Sequence, residues 1–242
     1  MRLIASGGEA SVFVLDANRV VRIDRAGVES VRTNLRAYET MRLGGVIVPR
    51  VESSSGEACL SLVMERLLPG SLMQVLAKRP WRVLDVGRLM AEMHASIHQC
   101  PTPHDVPAVW EVLPARIGTP RARIPVEDCV LFAKQLSDKS LSCVPLHGDF
   151  NPSNILEQEP GVWMPIDWNG FCVGPPEADV AYTLLLIERG APPKGWARVP
   201  RRLLSPGRSL LRRTYLRRYR ELSSLRDHEL SAWVRLWRDA HA

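Results

Sequence analysis

The chain has 242 residues, 45% of them hydrophobic and 24% charged, a balance that supports a packed core and excludes wholesale disorder. No apolar run approaches the about 18 residues that a membrane-spanning helix needs. The net charge of +6 is unevenly placed: from Lys194 onward thirteen Lys/Arg stand against four Asp/Glu, which leaves the rest of the chain at −3.

In chain order, residues 3–24 read as strands around turns. Val12, Val14, Val20 and Val21 are β-branched, Gly7-Gly8 marks one turn and Asp16-Ala-Asn18 the next. The pattern is a hairpin with a glycine-rich tip. Residues 28–43 switch to helical spacing, with Val31, Leu35, Tyr38 and Arg42 on one side and Gly44-Gly45 as a stop. Val46–Val51 and Ala58–Met64 read as two more strands separated by the turn Ser53-Ser-Ser-Gly56. Pro69-Gly70 then punctuates the chain. Val83, Val86, Leu89, Met90, Met93 and Ile97 recur at helical intervals over residues 82–98. The proline-rich stretch 101–125 reads as a loop and 127–138 as a helix. Short strands are expected between 141 and 173, and Ala178–Glu188 is apolar enough for a buried helix. Pro192, Pro193, Pro200 and Pro206 suggest a loose connection before two amphipathic helices, Leu211–Leu222 and Leu230–Ala240. The domain reading is an N-terminal lobe over residues 1–67 and a larger helical lobe over 68–242.

Five cysteines, Cys59, Cys100, Cys129, Cys143 and Cys172, form no C-x-x-C pair, so neither a thiolate zinc site nor a disulfide framework is indicated. The N-terminal residues lack the apolar stretch of a signal peptide. A cytoplasmic protein is expected.

The segment richest in chemistry is Leu146-His-Gly-Asp-Phe-Asn-Pro-Ser-Asn-Ile-Leu156. It crowds a histidine, an aspartate and two asparagines between apolar anchors. Ile166-Asp167-Trp168 supplies a further carboxylate. Phosphoryl transfer needs such a set: one carboxylate to orient an attacking hydroxyl and take its proton, and hard oxygen ligands for Mg²⁺. Four residues separate Asp149 from Asn154, the spacing of the protein-kinase catalytic loop H-x-D-x-x-x-x-N, with Gly148 in place of the usual arginine.

Together with Asn-Pro-Ser-Asn-Ile-Leu, Ile-Asp-Trp and Gly174-Pro-Pro-Glu-Ala-Asp-Val-Ala181, this segment resembles the aminoglycoside phosphotransferase family and its choline-kinase-like relatives. The resemblance implies an α+β, two-lobed protein-kinase-like fold: a small antiparallel sheet with one helix, then a mainly helical lobe. It implies transfer of the γ-phosphoryl group of ATP, or GTP, to a small-molecule hydroxyl. Asp149 takes the place of the catalytic base, and Asn154 and Asp167 those of the Mg²⁺ ligands. His147 and Asp179 stand as supports of the loop, with Asp179 holding the loop backbone from a helix.

On the nucleotide side, Ser6-Gly7-Gly8-Glu9-Ala10-Ser11 resembles a shortened phosphate loop, placing Gly7, Gly8 and Ser11 near phosphates. Arg22 stands where protein kinases carry a strand lysine. Its expected helix partner is Glu39, with Glu29 as the alternative. Leu62–Gly70 resembles an interlobe hinge in which adenine meets the backbone of Glu65 and Leu67. No G-x-x-x-x-G-K-[ST] sequence occurs, which argues against a P-loop enzyme. Lone histidines on the 82–98 helix, His94 and His98, read as structural.

Aminoglycosides are polycations, whereas Arg212, Arg213, Arg217, Arg218 and Arg220 crowd the C-terminal helices. Two readings follow: a solvated basic face, or else an acceptor that is neutral or anionic or a face that meets a polyanion. The expected partners are a nucleotide triphosphate and a small alcohol, not a membrane or a nucleic acid. A nucleotide-binding regulatory protein without turnover is the alternative, motivated by Arg22 and the sparse glycine loop.

Overall fold

The computed structural model describes residues 2–6, 10–25, 27–53, 61–117, 124–140, 142–192 and 201–241. Five strands form an antiparallel sheet: β1 (Arg2–Ser6), β2 (Ala10–Val14), β3 (Arg19–Asp24), β4 (Val51–Ser53) and β5 (Ser61–Glu65), in the order β1-β2-β3-β5-β4. Asp16 closes the β2–β3 turn by accepting the N–H groups of Asn18 and Arg19, each at 2.9 Å. β3 is central, and Val20, Val21 and Arg22 along it are all buried.

Helix α1 (Val28–Leu43) matches its expected span. Its buried stripe runs through Val31, Asn34, Ala37, Tyr38 and Met41, whereas Arg42, expected on that side, is exposed. The helix ends because Gly45 takes φ of 77°, a left-handed conformation that favours glycine. Gly45 N–H then reaches Arg42 O and Val46 N–H reaches Met41 O, filling carbonyls the helix leaves open. That turn occupies the start of the expected strand Val46–Val51. Pro49, lacking an N–H, cannot join a ladder, and pairing begins only at Val51.

The rest of the chain is mainly helical. Helix α2 (Leu72–Lys78) was not expected; Ser71 caps it, its hydroxyl accepting Gln74 N–H. Helix α3 (Val83–His98) follows the sequence pattern. Helix α4 (Val109–Ile117) lies inside the stretch expected to be loop, since Pro114 removes only one helical donor while Val109, Leu113 and Ile117 bury one face. Helix α5 (Val126–Asp138) comes next. Strands β6 (Val144–Leu146) and β9 (Cys172–Gly174) pair antiparallel, as do β7 (Ile155–Glu159) and β8 (Val162–Pro165). Helix α6 (Pro176–Arg189) is buried almost all round. Helix α7 (Arg201–Leu222) begins earlier than expected and includes Pro206; α8 (Asp227–Ala240) ends the series. No helix among the described residues is long and apolar enough to cross a membrane.

Helices α3 and α7 pack closely at Gly87. A Cβ there would stand 2.9 Å from the Thr214 Cβ and 3.0 Å from its methyl, so only glycine allows this approach. Gly87→Val is therefore expected to cost about 1–3 kcal/mol through overpacking. Urea unfolding should show a lowered midpoint, and an unchanged midpoint would mean the two helices are not tightly seated.

Candidate active site

The loop 147–154 is carried between β6 and β7 and pinned by buried Leu146, Phe150 and Ile155. Phe150 stacks on His94 at 4.2 Å between ring centroids. Gly148 has φ of 78°, and a Cβ on it would overlap the Gly170 carbonyl and the Arg116 guanidinium. That close approach is the physical reason the protein-kinase arginine cannot occur here.

Asp149 is held by two asparagine amides. Asn154 Nδ2 donates to Asp149 Oδ2 at 2.7 Å and to the Asp149 carbonyl at 3.0 Å; Asn151 Nδ2 lies 3.3 Å from Oδ1. Burial raises the Asp149 pKa to about 7, against the lowering effect of these donors. The side-chain amide N–H groups of Asn154 are thus spent on Asp149, and its amide oxygen accepts no protein hydrogen bond among the described residues.

Asp167 lies between β8 and β9. It is the sole non-glycine residue with positive φ, 68°, among those described. Such a conformation costs an L-residue roughly 1 kcal/mol or more. Neighbouring backbone bonds fix it: Ile166 N–H reaches Asn154 O at 2.9 Å, and Trp168 N–H reaches Asn34 Oδ1 at 3.2 Å. Arg22 Nη1 donates to Asp167 Oδ1 at 2.9 Å, leaving the second carboxylate oxygen toward partly open space. The same guanidinium reaches Asp24 at 3.0 Å and Asn169 Oδ1 at 2.8 Å. Burial disfavours the Arg22 charge, yet Asp167 and Asp24 outweigh it and raise the pKa.

Behind the loop lies Asp179 on α6. Its carboxylate accepts the backbone N–H of His147 at 2.6 Å and of Gly148 at 3.0 Å. His94 Nε2 reaches it at 3.0 Å and His98 Nε2 at 3.4 Å. Tyr215 and Tyr219 fill the other ring nitrogens, each at 2.6 Å. Burial works against Asp179 ionising, but the two imidazoles take its pKa well below the usual carboxylate range. His94, His98 and Asp179 stand close enough to suggest a metal cluster. Their polar atoms are already committed to one another, to the tyrosines and to the loop amides. His147 is likewise fixed: Nδ1 accepts Asp149 N–H at 3.2 Å, so Nε2 carries the proton donated to Ile166 O at 3.2 Å.

Of the residues expected at the site, Asp149, Asn154, Asp167, Arg22, His147 and Asp179 come together. Glu39 does not: it is exposed and lies 3.4 Å from Arg36, and Glu29 pairs instead with Arg32. The helix meets Arg22 through neutral groups, because Ser30 and Asn34 both bond Asn169. Ser11 Oγ accepts from Arg25 at 2.6 Å across the sheet. Glu65 donates its N–H to Arg50 O at 2.8 Å, and its carboxylate accepts Gln158 Nε2 at 2.8 Å. Leu67 N–H makes no backbone bond among the described residues, between amides of Arg66 and Leu68 that do. Gly7 and Gly8 lie outside the described residues. Sequence reasoning missed Asp24, Asn34, Asn169 and Arg116; Ser30 and Asn34, polar and four apart beside a buried stripe, were the available signal.

The Asn154 amide oxygen and the open Asp167 oxygen are hard donors facing partly open space, and their chemistry fits Mg²⁺. The description "phosphotransferase enzyme family" fits a family model that matches residues 1–237. The chain belongs to the phosphotransferase enzyme family. Solved structures agree on its protein-kinase-like fold. An aminoglycoside-3′-phosphotransferase of type VIII shares 19% identity and a TM-score of 0.63, covering 98% of this chain and 90% of that one. The choline kinase of Streptococcus pneumoniae shares 15% and 0.62, covering 99% and 82%. A ternary complex of an aminoglycoside phosphotransferase with streptomycin and ATP shares 13% and 0.60, covering 98% and 81%. No curated protein sequence matches the chain.

Acid stability of this phosphotransferase-family chain follows from its buried groups. Burial lowers His94 and His147 to about 4. Below their unfolded value of about 6.5 the unfolded chain binds two protons that the folded one refuses, so stability falls with pH. Asp149, raised to about 7, takes a proton when folded and offsets one of them. From these three groups the metal-free protein should lose about 1.4 kcal/mol per pH unit between roughly pH 6 and 4. Asp149→Asn should about double that slope. Urea midpoints across this range measure both, and a flat profile would contradict the buried neutral histidines.

Proposed function

We propose that the protein transfers the γ-phosphoryl group of ATP to the hydroxyl of a small molecule, with Asp149 as the base. The observation that supports this most is the carboxylate itself. Asp149 is oriented by Asn154 and Asn151, and burial brings its pKa to about 7, near the pH at which a general base works best. The acceptor oxygen forms a bond to the γ-phosphorus as the bond to the β–γ bridging oxygen breaks. ADP leaves with that electron pair, and the acceptor proton passes to Asp149.

Asn154 and Asp167 are assigned to Mg²⁺, which when bound neutralises charge on the phosphate oxygens. Arg22 is assigned to the phosphates. Its present bond to Asp167 poises it at the metal side of the site, and its guanidinium can meet phosphate oxygens bidentately. Gly7, Gly8 and Ser11 are assigned to the phosphate loop. The Glu65 carbonyl and the Leu67 N–H are assigned to the purine of ATP, with GTP as the other candidate. These assignments make residues 1–67 the nucleotide lobe and 68–242 the lobe that carries the base, in a protein working in the cytoplasm.

The ATP-bound state of one structural neighbour supports the nucleotide reading. The alternative, a nucleotide-binding regulator without turnover, rests on the ion pair between Arg22 and Asp167, which occupies one oxygen of the assigned metal ligand. Steady-state kinetics separates the two. Asp149→Asn should lower kcat by at least about 10²-fold with nucleotide affinity nearly unchanged; near-wild-type turnover would falsify the role given to Asp149. Asp167→Asn should weaken ATP binding in the presence of Mg²⁺ and leave it unaltered without the metal. Calorimetric titrations under the two conditions check this, and equal losses in both would remove Asp167 from the metal.

A further inference from the structure

The catalytic loop has a second side. A cavity of about 670 Å³ opens there, with Asp149 and Asn154 at its polar end. That volume suits a drug-sized molecule. Its walls are apolar: Leu76 of α2, Leu186 of α6, and Leu204 and Leu211 of α7. Among the described lining residues the charged side chains are Asp149 and Arg208 alone. The Arg208 guanidinium is fixed at the cavity by donating to the carbonyls of Glu188 and Gly190, each at 2.6 Å.

A polyamine in this cavity would lay several ammonium groups against leucine side chains. Among the described lining residues Asp149 would be the sole anion to meet them, and Arg208 would repel them. Burying a cation without a partner is costly enough to decide selectivity. An apolar body gains from the same walls, in proportion to the area it removes from water. The arginines of α7 do not reverse this argument by marking a polyanion site. Arg212 pairs with Glu188 at 3.1 Å, Arg218 with Glu92 at 2.8 Å, and Arg220 with Asp227, as in a solvated ion-paired face.

We propose that this cavity binds the acceptor and selects an uncharged amphipathic alcohol: a hydroxyl-bearing end at Asp149 joined to an apolar body lying along α2, α6 and α7. The inference rests on the reading of Asp149 as the base for alcohol phosphorylation, and its test is binding, which does not require turnover.

Methyl, hexyl and octyl β-D-glucoside, each below its micelle concentration, and kanamycin are titrated calorimetrically into the full chain holding Mg²⁺ and a non-hydrolysable ATP analogue. Affinity should rise at least about tenfold from methyl to octyl glucoside, a small part of what full burial of the added methylenes would give. Kanamycin should bind more weakly than octyl glucoside. Leu204 is only half-buried. A carboxylate in its place, Leu204→Glu, should abolish the chain-length gain, with folding checked by thermal melting. Equal affinity across the glucosides overturns the proposal, as does tighter binding of kanamycin. An undiminished gain in folded Leu204→Glu also overturns it, because the alkyl chain would then sit elsewhere. Transfer from radiolabelled ATP separates the two readings. Chain-length-dependent binding with no phosphate transfer to any alcohol sinks the phosphotransferase reading and upholds the cavity. Transfer to kanamycin alone upholds the phosphotransferase reading and sinks the cavity.

Discussion

A carboxylate removed from water must have its lone pairs filled by the protein, and Asp179 is filled from two elements at once. The amides of His147 and Gly148 approach from the 147–154 loop, and His94 and His98 approach from α3. Each imidazole is in turn held by a tyrosine hydroxyl of α7. One side chain on α6 therefore fixes the loop against two other helices. Its loss would leave several buried donors without an acceptor, and the cost of each would fall on the loop. The loop needs this support because its own backbone is not regular. Gly148 is left-handed, and only the three residues 152–154 form a helical turn.

The sheet lobe depends on a second buried charge. Arg22 reaches across from β3 to Asp167 and Asn169, and Asn169 is met by Ser30 and Asn34 of α1. Asn34 also accepts the Trp168 amide. A guanidinium suits this place because its planar fork serves Asp24, Asp167 and Asn169 at once, which a lysine ammonium of single-point geometry could not do in the same plane. Arg22 is thus tied both to the strand that carries it and to the segment that carries the assigned metal ligand. The lobes meet at the site through these polar groups and through Tyr38 of α1, whose ring lies edge-on to Trp168 at 6.2 Å between centroids.

How much of this was legible in the sequence depends on whether a residue's role is local. The helices of 28–43, 82–98 and 127–138 announce themselves by periodicity, because one face of each is buried. The 147–154 loop was legible because its polar residues stand at fixed short spacings. Helix α4 and the start of α7 were not, since Pro114 and Pro206 lie inside these helices and an interior proline reads as a break. The partner of Arg22 was misread as Glu39 because spacing along α1 places a residue on a face but not the register of that face against another lobe. Glu39 is one turn and a third beyond Asn34, on the solvent side. Tyr215 and Tyr219 fall within the expected amphipathic helix Leu211–Leu222, and both are buried. Their hydroxyls matter only because His94 and His98 repeat the same four-residue spacing on α3, a correspondence between helices over a hundred residues apart.

The loop links the assigned base to the proposed acceptor site, because Asp149 and Asn154 both line the apolar cavity. Asn154 also offers, with Asp167 and Arg22, the hard oxygen donors and the guanidinium that suit metal and phosphate. Burial raises the Asp149 pKa, while the two asparagine amides hold its orientation. A polar, water-filled acceptor site would leave the same carboxylate solvated and a weaker base. The burial that raises the Asp149 pKa and the apolar lining of the cavity are thus both consistent with the proposed acceptor, whose body would bring no charge to the site.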